Sequence, residues 1–168
     1  QRLISTTDAL GKTVSYEYDI LGRKTAITLP DNQTVSYAYD VMDRLTEVSD
    51  ETGVVAEYEY DAISQLVSNV RNDITTTYEY NELGQLETLT TTQLNENIMQ
   101  FEYEYDKIGN IVSEVRTEGS DVNNRTYDYD AANQLVGFED NDYTETYLYD
   151  KVGNMLVKDV NSELTEYT

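Results

Sequence analysis

Along most of this chain apolar and polar residues alternate, and the alternation restarts at a nearly constant interval. Val14, Tyr16 and Tyr18 fall on one face of an extended strand, as do Val35, Tyr37 and Tyr39, and again Phe101, Tyr103 and Tyr105. Between the two tyrosines of each pair stand Glu17, Ala38, Glu59, Glu79, Glu104, Asp128 and Leu148, five of the seven acidic. One face of these strands is therefore expected to be tyrosine and the other mainly carboxylate. No stretch shows helical periodicity.

Tyr-x-Tyr begins at Tyr16, Tyr37, Tyr58, Tyr78, Tyr103, Tyr127 and Tyr147, with an eighth opening at Tyr167, and the intervals are 21, 21, 20, 25, 24, 20 and 20 residues. Recurrence at such a period marks a repeat architecture. The fourth position of each unit is Asp19, Asp40, Asp61, Asn81, Asp106, Asp130 or Asp150, and the seventh is Gly22, Asp43, Ser64, Gly84, Gly109, Asn133 or Gly153. This is turn chemistry: an Asp or Asn side chain bonds the backbone two residues on, and Gly or Asn accepts the left-handed conformation that closes a four-residue hairpin loop. Ser64 fits that position least well, which predicts a distorted third turn. Just before it lie Leu21, Met42, Ile63, Leu83, Ile108, Ala132 and Val152, all apolar where a surface turn is normally polar. Their character predicts turns folded back onto the sheet or onto a neighbouring layer.

After each turn a second strand opens with Leu45, Leu66, Leu86, Ile111, Leu135 or Met155, Lys24 being the exception. A second turn then closes the unit, at 29–33 (LPDNQ), 49–53 (SDETG), 71–73 (RND), 95–97 (NEN), 118–124 (EGSDVNN), 140–142 (DND) and 161–163 (NSE). The extra residues of the 25- and 24-residue units fall near this second turn, where insertions cost least. The pattern predicts an all-β chain, a long antiparallel meander of β-hairpin repeats. Successive tyrosine pairs come into register as one ladder rung per repeat, with cross-strand aromatic neighbours contributing about 0.2–1 kcal/mol each.

Composition narrows the function. Tyr supplies 16 of 18 aromatic residues, and Val, Ile, Leu and Phe together make about 23% of the 168, so the tyrosines must provide much of the apolar burial. A net charge of −22 repels phosphate backbones and anionic headgroups, so no nucleic-acid partner is expected and a membrane-surface role is badly placed. No run of 18 apolar residues is present, so no segment is expected to insert in a bilayer as a helix. Without His or Cys, the familiar nucleophile–base pairs and zinc sites cannot be built. No catalytic, cofactor-binding or metal-binding residue is assigned, and the chain is expected not to be an enzyme. The carboxylates repeat with the fold, as turn formers and a solvated face, rather than as an acid–base pair. Asp140 and Asp142, in FEDNDYTE, are spaced like calcium ligands but lack the rest of an EF-hand loop, and a hairpin turn accounts for them. A tyrosine ladder stacking on sugar rings is a rival reading, and the absence of Trp and the packing demand on Tyr argue against it. Sequons at Asn32 and Asn124 would matter only in a eukaryotic secretory protein.

The stretch YEYDILGRKTAITLPDNQTVSYAYD, from Tyr16 to Asp40, resembles the YD-repeat, also called the Rhs-repeat, whose pattern is Tyr-x-Tyr-Asp-x-x-Gly-Arg-Leu. The resemblance covers the chain from Arg2 to Tyr167. Departures are Asp43, Ser64 and Asn133 for the Gly, Asn81 for the Asp, and Gln or Asn for the Arg in five units. The resemblance implies a sheet strip that curves and spirals into a hollow shell. In bacterial toxin complexes and polymorphic toxins such shells enclose a C-terminal toxin domain, and in teneurins a similar shell belongs to an adhesion ectodomain. The expectation is a single array over 1–168, with partial units at both ends, since the segment from Arg2 matches that from Arg23 and the chain stops at EYT; it reads as a fragment of a longer protein. Its partners are then the neighbouring YD repeats and an enclosed C-terminal cargo, its location secreted or cell-surface, and its role structural. The alternative is an adhesive or carbohydrate-binding array, with a glycan as partner. Unpaired strand edges also favour self-association of the isolated segment.

Overall fold

The structure, a computed structural model, describes residues 2–167. Among them there are sixteen strands, β1 to β16, and no helix, and within each unit strand order follows chain order. The chain divides into two compact units, with the boundary between Thr77 and Tyr78.

The first unit contains β1 (Ser5–Thr7), β2 (Thr13–Tyr18), β3 (Lys24–Thr28), β4 (Thr34–Tyr39), β5 (Leu45–Asp50), β6 (Gly53–Tyr60), β7 (Leu66–Arg71) and most of β8 (Ile74–Tyr80). Within the unit each strand pairs antiparallel with its neighbours in the chain. The second unit contains β9 (Leu86–Gln93), β10 (Glu96–Tyr105), β11 (Ile111–Glu118), β12 (Asp121–Tyr129), β13 (Leu135–Glu139), β14 (Thr144–Tyr149), β15 (Met155–Val160) and β16 (Glu163–Glu166), paired in the same way. The all-β hairpin meander expected from the period-2 pattern is what the chain forms.

The alternation sets the faces. Tyr16, Tyr18, Tyr37, Tyr39, Tyr58 and Tyr60 are half-buried, while Glu17, Ala38 and Glu59 between them are exposed; in the second unit Tyr103, Tyr105, Tyr127, Tyr129, Tyr147 and Tyr149 alternate in the same way with exposed Glu104, Asp128 and Leu148. Burial is shallow. Ala26, Ala56 and Thr91 are buried, but no large side chain among the described residues is fully so. The tyrosine face is also less apolar than its sequence suggests. Lys24 lies over the Tyr16 ring at 4.7 Å, its stem standing where the other units have Leu, Ile or Met. Glu114 and Arg125, and Glu145 and Lys158, form ion pairs at 2.8 Å among the tyrosines.

Every Tyr-x-Tyr hairpin with a described register carries a β-bulge at one place. Glu17 opposes Ala26 and Tyr18 opposes Lys24, leaving Thr25 unpaired. Thr46, Val67, Val112, Val136 and Leu156 are the equivalent extra residues. A bulge lets two residues three apart share a face. Leu45 and Val48 therefore both stand on the tyrosine face, opposite Tyr39 and Tyr37, and Leu135 and Phe138 stand opposite Tyr129 and Tyr127.

Three expectations are corrected. The apolar turn residues do not fold back: Leu21, Met42, Ile63, Leu83, Ile108 and Val152 are all exposed, Ile63 by 74%. Asp closes the front of each turn with backbone bonds, so the tip residue points outward. The third turn is not distorted either. Ser64 adopts φ 71°, beside Asp43 at 65° and Asn133 at 66°, and keeps the same pair of backbone bonds, Ser64 N to Asp61 O at 3.2 Å and Asp61 N to Gln65 O at 2.9 Å. Finally, the segment 118–124 is mostly strand: Glu118 pairs with Asp121, so the turn shrinks to residues 119–120 and the added residues lengthen β11 and β12. β9 and β10 lengthen likewise around Leu94 and Asn95, both at positive φ (51° and 67°) as a two-residue hairpin turn of type I′ requires.

Candidate functional site

The residues that define the repeat form one connected arrangement at the Tyr-x-Tyr-Asp end of each hairpin. Asp19 Oδ1 accepts from the Arg23 amide at 2.9 Å, and Oδ2 accepts from Arg23 Nε at 2.6 Å. The rest of the guanidinium reaches the following repeat. Nη1 donates to Asp40 O at 3.1 Å and to Asp43 Oδ1 at 2.7 Å, and Cζ lies 4.8 Å from the centre of the Tyr39 ring. Tyr39 Oη in turn donates to Lys24 O at 2.8 Å.

The next unit repeats the set. Arg44 Nε holds Asp40 Oδ2 at 2.6 Å, Nη1 donates to Asp61 O at 2.9 Å and Ser64 Oγ at 3.2 Å, the cation lies 4.7 Å from the Tyr60 ring, and Tyr60 Oη donates to Leu45 O at 2.9 Å. Arg2 plays the same part ahead of Gly22, whose φ of 91° and lack of a Cβ both count, since a Cβ there would lie 1.9 Å from Arg2 Nη2.

This arrangement fills a gap in the backbone ladder. Pairing of β3 with β4 stops at Ala26–Ser36, and pairing of β5 with β6 stops at Glu47–Glu57. Beyond those points the Tyr hydroxyl and the Arg fork supply the hydrogen bonds that strand pairing no longer makes, and a buried carbonyl left without a donor would otherwise be costly. In the second unit Tyr105 Oη donates to Leu86 O at 2.6 Å and Tyr129 Oη to Ile111 O at 3.0 Å. Asn110 takes the Arg position there, donating Nδ2 to Asp106 Oδ2 at 2.9 Å and also to Asn133 Oδ1 in the next turn.

The expected rung of tyrosines touching tyrosines is therefore replaced by a different linkage. Successive tyrosine strands are separated by an intervening strand, so Tyr16 faces Ile27 and Tyr37 faces Val48. Ring pairs involve the two phenylalanines instead: Phe101–Tyr103 at 6.1 Å, Tyr127–Phe138 at 5.3 Å and Phe138–Tyr143 at 5.5 Å. The sequence pointed to Tyr and Asp; the bridging role of Arg23 and Arg44 was missed, because their partners lie 17 and 20 residues further on.

Electrostatics follow from these bonds. Burial pushes the Asp19 carboxyl up, but the side-chain and backbone donors of Arg23 outweigh it and hold it below the usual range. Asp40 is lowered first by the Arg44 amide and Asp150 first by the Asn154 side chain, while Asp106 is lowered by Asn110 against the opposing effect of burial. Burial raises Tyr103, Tyr105, Tyr127 and Tyr129, with the Glu114 carboxylate adding to the first and third. Asp140 Oδ1 accepts from the Asp142 and Tyr143 amides at 2.8 and 3.0 Å, the part of a turn former. Among the described residues no cluster of three or more His, Cys, Asp or Glu is placed to hold a metal ion. Asn32 sits at positive φ (69°) in its turn and Asn124 is exposed on β12.

These features agree with the proteins the chain resembles. The RHS Repeat family model matches residues 1–34 and 24–55, and the Teneurin YD-shell model matches residues 58–167. Among curated protein sequences none matches the chain. In fold the chain is similar to the TcdB2–TccC3–Cdc42 complex, with a TM-score of 0.76 at 22% identity over 89% of this chain and 9% of that one. It is similar also to the Tc holotoxin pore of Photorhabdus luminescens (0.77, 22%, over 92% and 9%) and to TcdB2–TccC3 without its hypervariable C-terminal region (0.77, 22%, over 92% and 10%). The chain thus spans about a tenth of the length of the solved chains it matches. Since the YD-shell match takes in well over half of the 168 residues, the chain belongs to the teneurin YD-shell family of YD-repeat proteins.

Proposed function

We propose that this chain is a structural, non-catalytic wall segment of a YD-repeat shell that encloses a C-terminal toxin or effector cargo in a secreted or cell-surface protein of a bacterium. One observation carries the reading: the recurring Tyr and Asp of the repeat, with Arg23, are engaged with the backbone and side chains of their own and the adjoining repeat rather than converging on an open cleft. Such residues build a surface from copies of themselves, with each unit stabilised by its neighbours. The toxin-complex assemblies that share the fold support the shell, and their greater length supports a role for this chain as one part of a larger curved strip. Fold likeness alone does not assign a function, so the test addresses cargo directly.

The parent polypeptide, expressed whole, is weighed under native and denaturing conditions. A C-terminal piece that stays bound natively and separates as a discrete fragment on denaturation is the expected result. One uncleaved polypeptide under both conditions would overturn the processed-cargo reading and favour the adhesive one.

A further inference from the structure

The tips of the Tyr-x-Tyr-Asp turns carry side chains that the turns themselves do not need. In the first unit Ile20 and Val41 are as exposed as free side chains, at 97% and 101%, and Leu21, Met42 and Ile63 are exposed as well. Other groups close these turns. The Gly22, Asp43 and Ser64 amides donate to Asp19 O, Asp40 O and Asp61 O at 3.0, 3.2 and 3.2 Å, and the Met42 and Ile63 amides donate to Asp40 Oδ1 and Asp61 Oδ1 at 2.8 and 2.9 Å. Nothing here calls for an aliphatic residue at the tip, where polar ones are usual. The other margin of the same unit is the control. Apart from Leu10, its turns carry Asp31 and Asn32, Glu51 and Thr52, and Asn72 and Asp73, and the flanking Leu29, Val54 and Ile74 are each less exposed than the five tip residues.

Spacing and area define what fits. Successive tips lie two strands apart, so the apolar groups recur about every 10 Å along the margin. That is twice the ~4–4.5 Å contact distance of apolar groups, so a side chain entering between two tips touches both. A partner with the same period and uncharged tips makes this contact along its whole length, and another copy of this margin is such a partner. Burying one aliphatic side chain removes roughly 60–120 Å² of apolar surface from water, so the five at their exposures offer roughly 250–500 Å². Two copies together then bury roughly 500–1,000 Å², short of the ~1,200–2,000 Å² of a stable interface. The contact is therefore weak and reversible.

Charge selects the pairing. The chain carries −22, so any two copies repel one another. At the apolar margin the nearby carboxylates are already tied: Asp19 to Arg23 at 2.6 Å, Asp40 to Arg44 at 2.6 Å, and Asp43 to Arg23 at 2.7 Å. Docking on the other margin would press the aliphatic tips onto Asp31, Glu51 and Asp73 and take water from their carboxylates, which is unfavourable. We propose that the apolar margin of the first unit, centred on Val41, is a docking edge for the same margin of a second copy of this chain. The contact is isologous, so the central tip of one copy meets the central tip of the other. It is distinct from pairing of open strand edges, and it does not depend on the shell reading, which stands whether or not copies associate.

The test uses the 168-residue chain, followed by sedimentation over a range of concentrations in low and high salt. A monomer–dimer equilibrium with a dissociation constant on the order of 0.1–1 mM is expected, tightening as salt screens the net charge. Leu21→Asp combined with Val41→Asp is expected to weaken it about tenfold or more, since the new carboxylates face their counterparts across the contact. The chain has no cysteine, so Val41→Cys reports the geometry: under mild oxidation it is expected to link to itself, and Thr52→Cys on the other margin is not. The cysteine variants keep the proposal testable if the double variant fails to fold. A strictly monomeric chain would overturn the proposal. So would a dimer unchanged by the folded double variant, which assigns association to the strand edges, or preferential linkage of Val41→Cys to Thr52→Cys in a mixture, which assigns it to unlike margins. A monomer that binds phosphatidylcholine vesicles would also overturn it, giving these tips a bilayer as partner.

Discussion

The seventh residue of each repeat is asked to adopt a conformation that side chains resist. Gly22, Gly84, Gly109 and Gly153 do so freely, and Asp43 and Asn133 are among the side chains that tolerate it, but Ser64 holds φ 71° without that advantage. Its compensation is the bond from Arg44 Nη1 to Oγ at 3.2 Å, an exposed contact. Relief of left-handed strain is worth roughly 1–2 kcal/mol and an exposed hydrogen bond less, so Ser64→Gly is expected to stabilise the chain by about 0.5–1 kcal/mol, read as a higher midpoint in urea at unchanged slope. The eighth residue shows how far substitution is tolerated. Arg, Asn and Gln all occupy it, and the shorter Asn110 and Asn154 still reach Oδ2 of their own Asp, at 2.9 and 2.8 Å. What Asn gives up is the ring stacking and the reach to a carbonyl of the following turn, the two contacts that make Arg23 and Arg44 cross-repeat links.

At the level of the hairpin, the tyrosine hydroxyl does what the backbone cannot. Tyr60 Oη to Leu45 O lies past the last β5–β6 pair, so Tyr60→Phe leaves that carbonyl without its donor while keeping the ring. A loss of about 1 kcal/mol is expected in chemical denaturation, and an unchanged midpoint would show that solvent already satisfies the carbonyl. Hairpins and turn positions were readable in the sequence because both rest on short-range rules, the period of two and the Asp-x-x-Gly turn. The bulge was not, since Thr25, Thr46, Val67, Val112, Val136 and Leu156 share little beyond suiting a strand; the hint was the pair of apolar residues three apart, such as Leu45 with Val48 and Leu135 with Phe138. Outward-pointing Ile63 and Leu21 were misread because an apolar residue in a turn usually signals cover, and exposure is decided by the direction of the turn rather than by residue type.

For the molecule as a whole, cohesion rests on half-buried phenols and carboxylate clips, and both titrate. The folded chain holds Tyr103, Tyr105, Tyr127 and Tyr129 above their ordinary pKa, chiefly through burial, and Tyr147 higher still through burial and its bond to Glu145. Above pH ~10 the unfolded chain ionises first, so this contribution is intact below ~10 and is lost as pH rises through the raised folded values. Asp19, Asp40, Asp106 and Asp150 are lowered, so theirs is intact above pH ~4 and is lost as pH falls through the folded values. Phenolate absorbance of the folded chain is expected to lag that of the denatured chain on alkaline titration; coincident curves would contradict the burial assigned to these rings. The uneven repeat lengths carry a last consequence, for folding. When every unit offers the same Tyr-x-Tyr strand and a closely similar turn, a strand can dock on the wrong neighbour one period away and satisfy most of its contacts, a trap open to any tandem array. The 25- and 24-residue units interrupt that sameness, because β10 and β12 are longer than any strand of the other units and a misplaced partner leaves their ends unmatched. Their added residues thus act as a key that tells one repeat from the next.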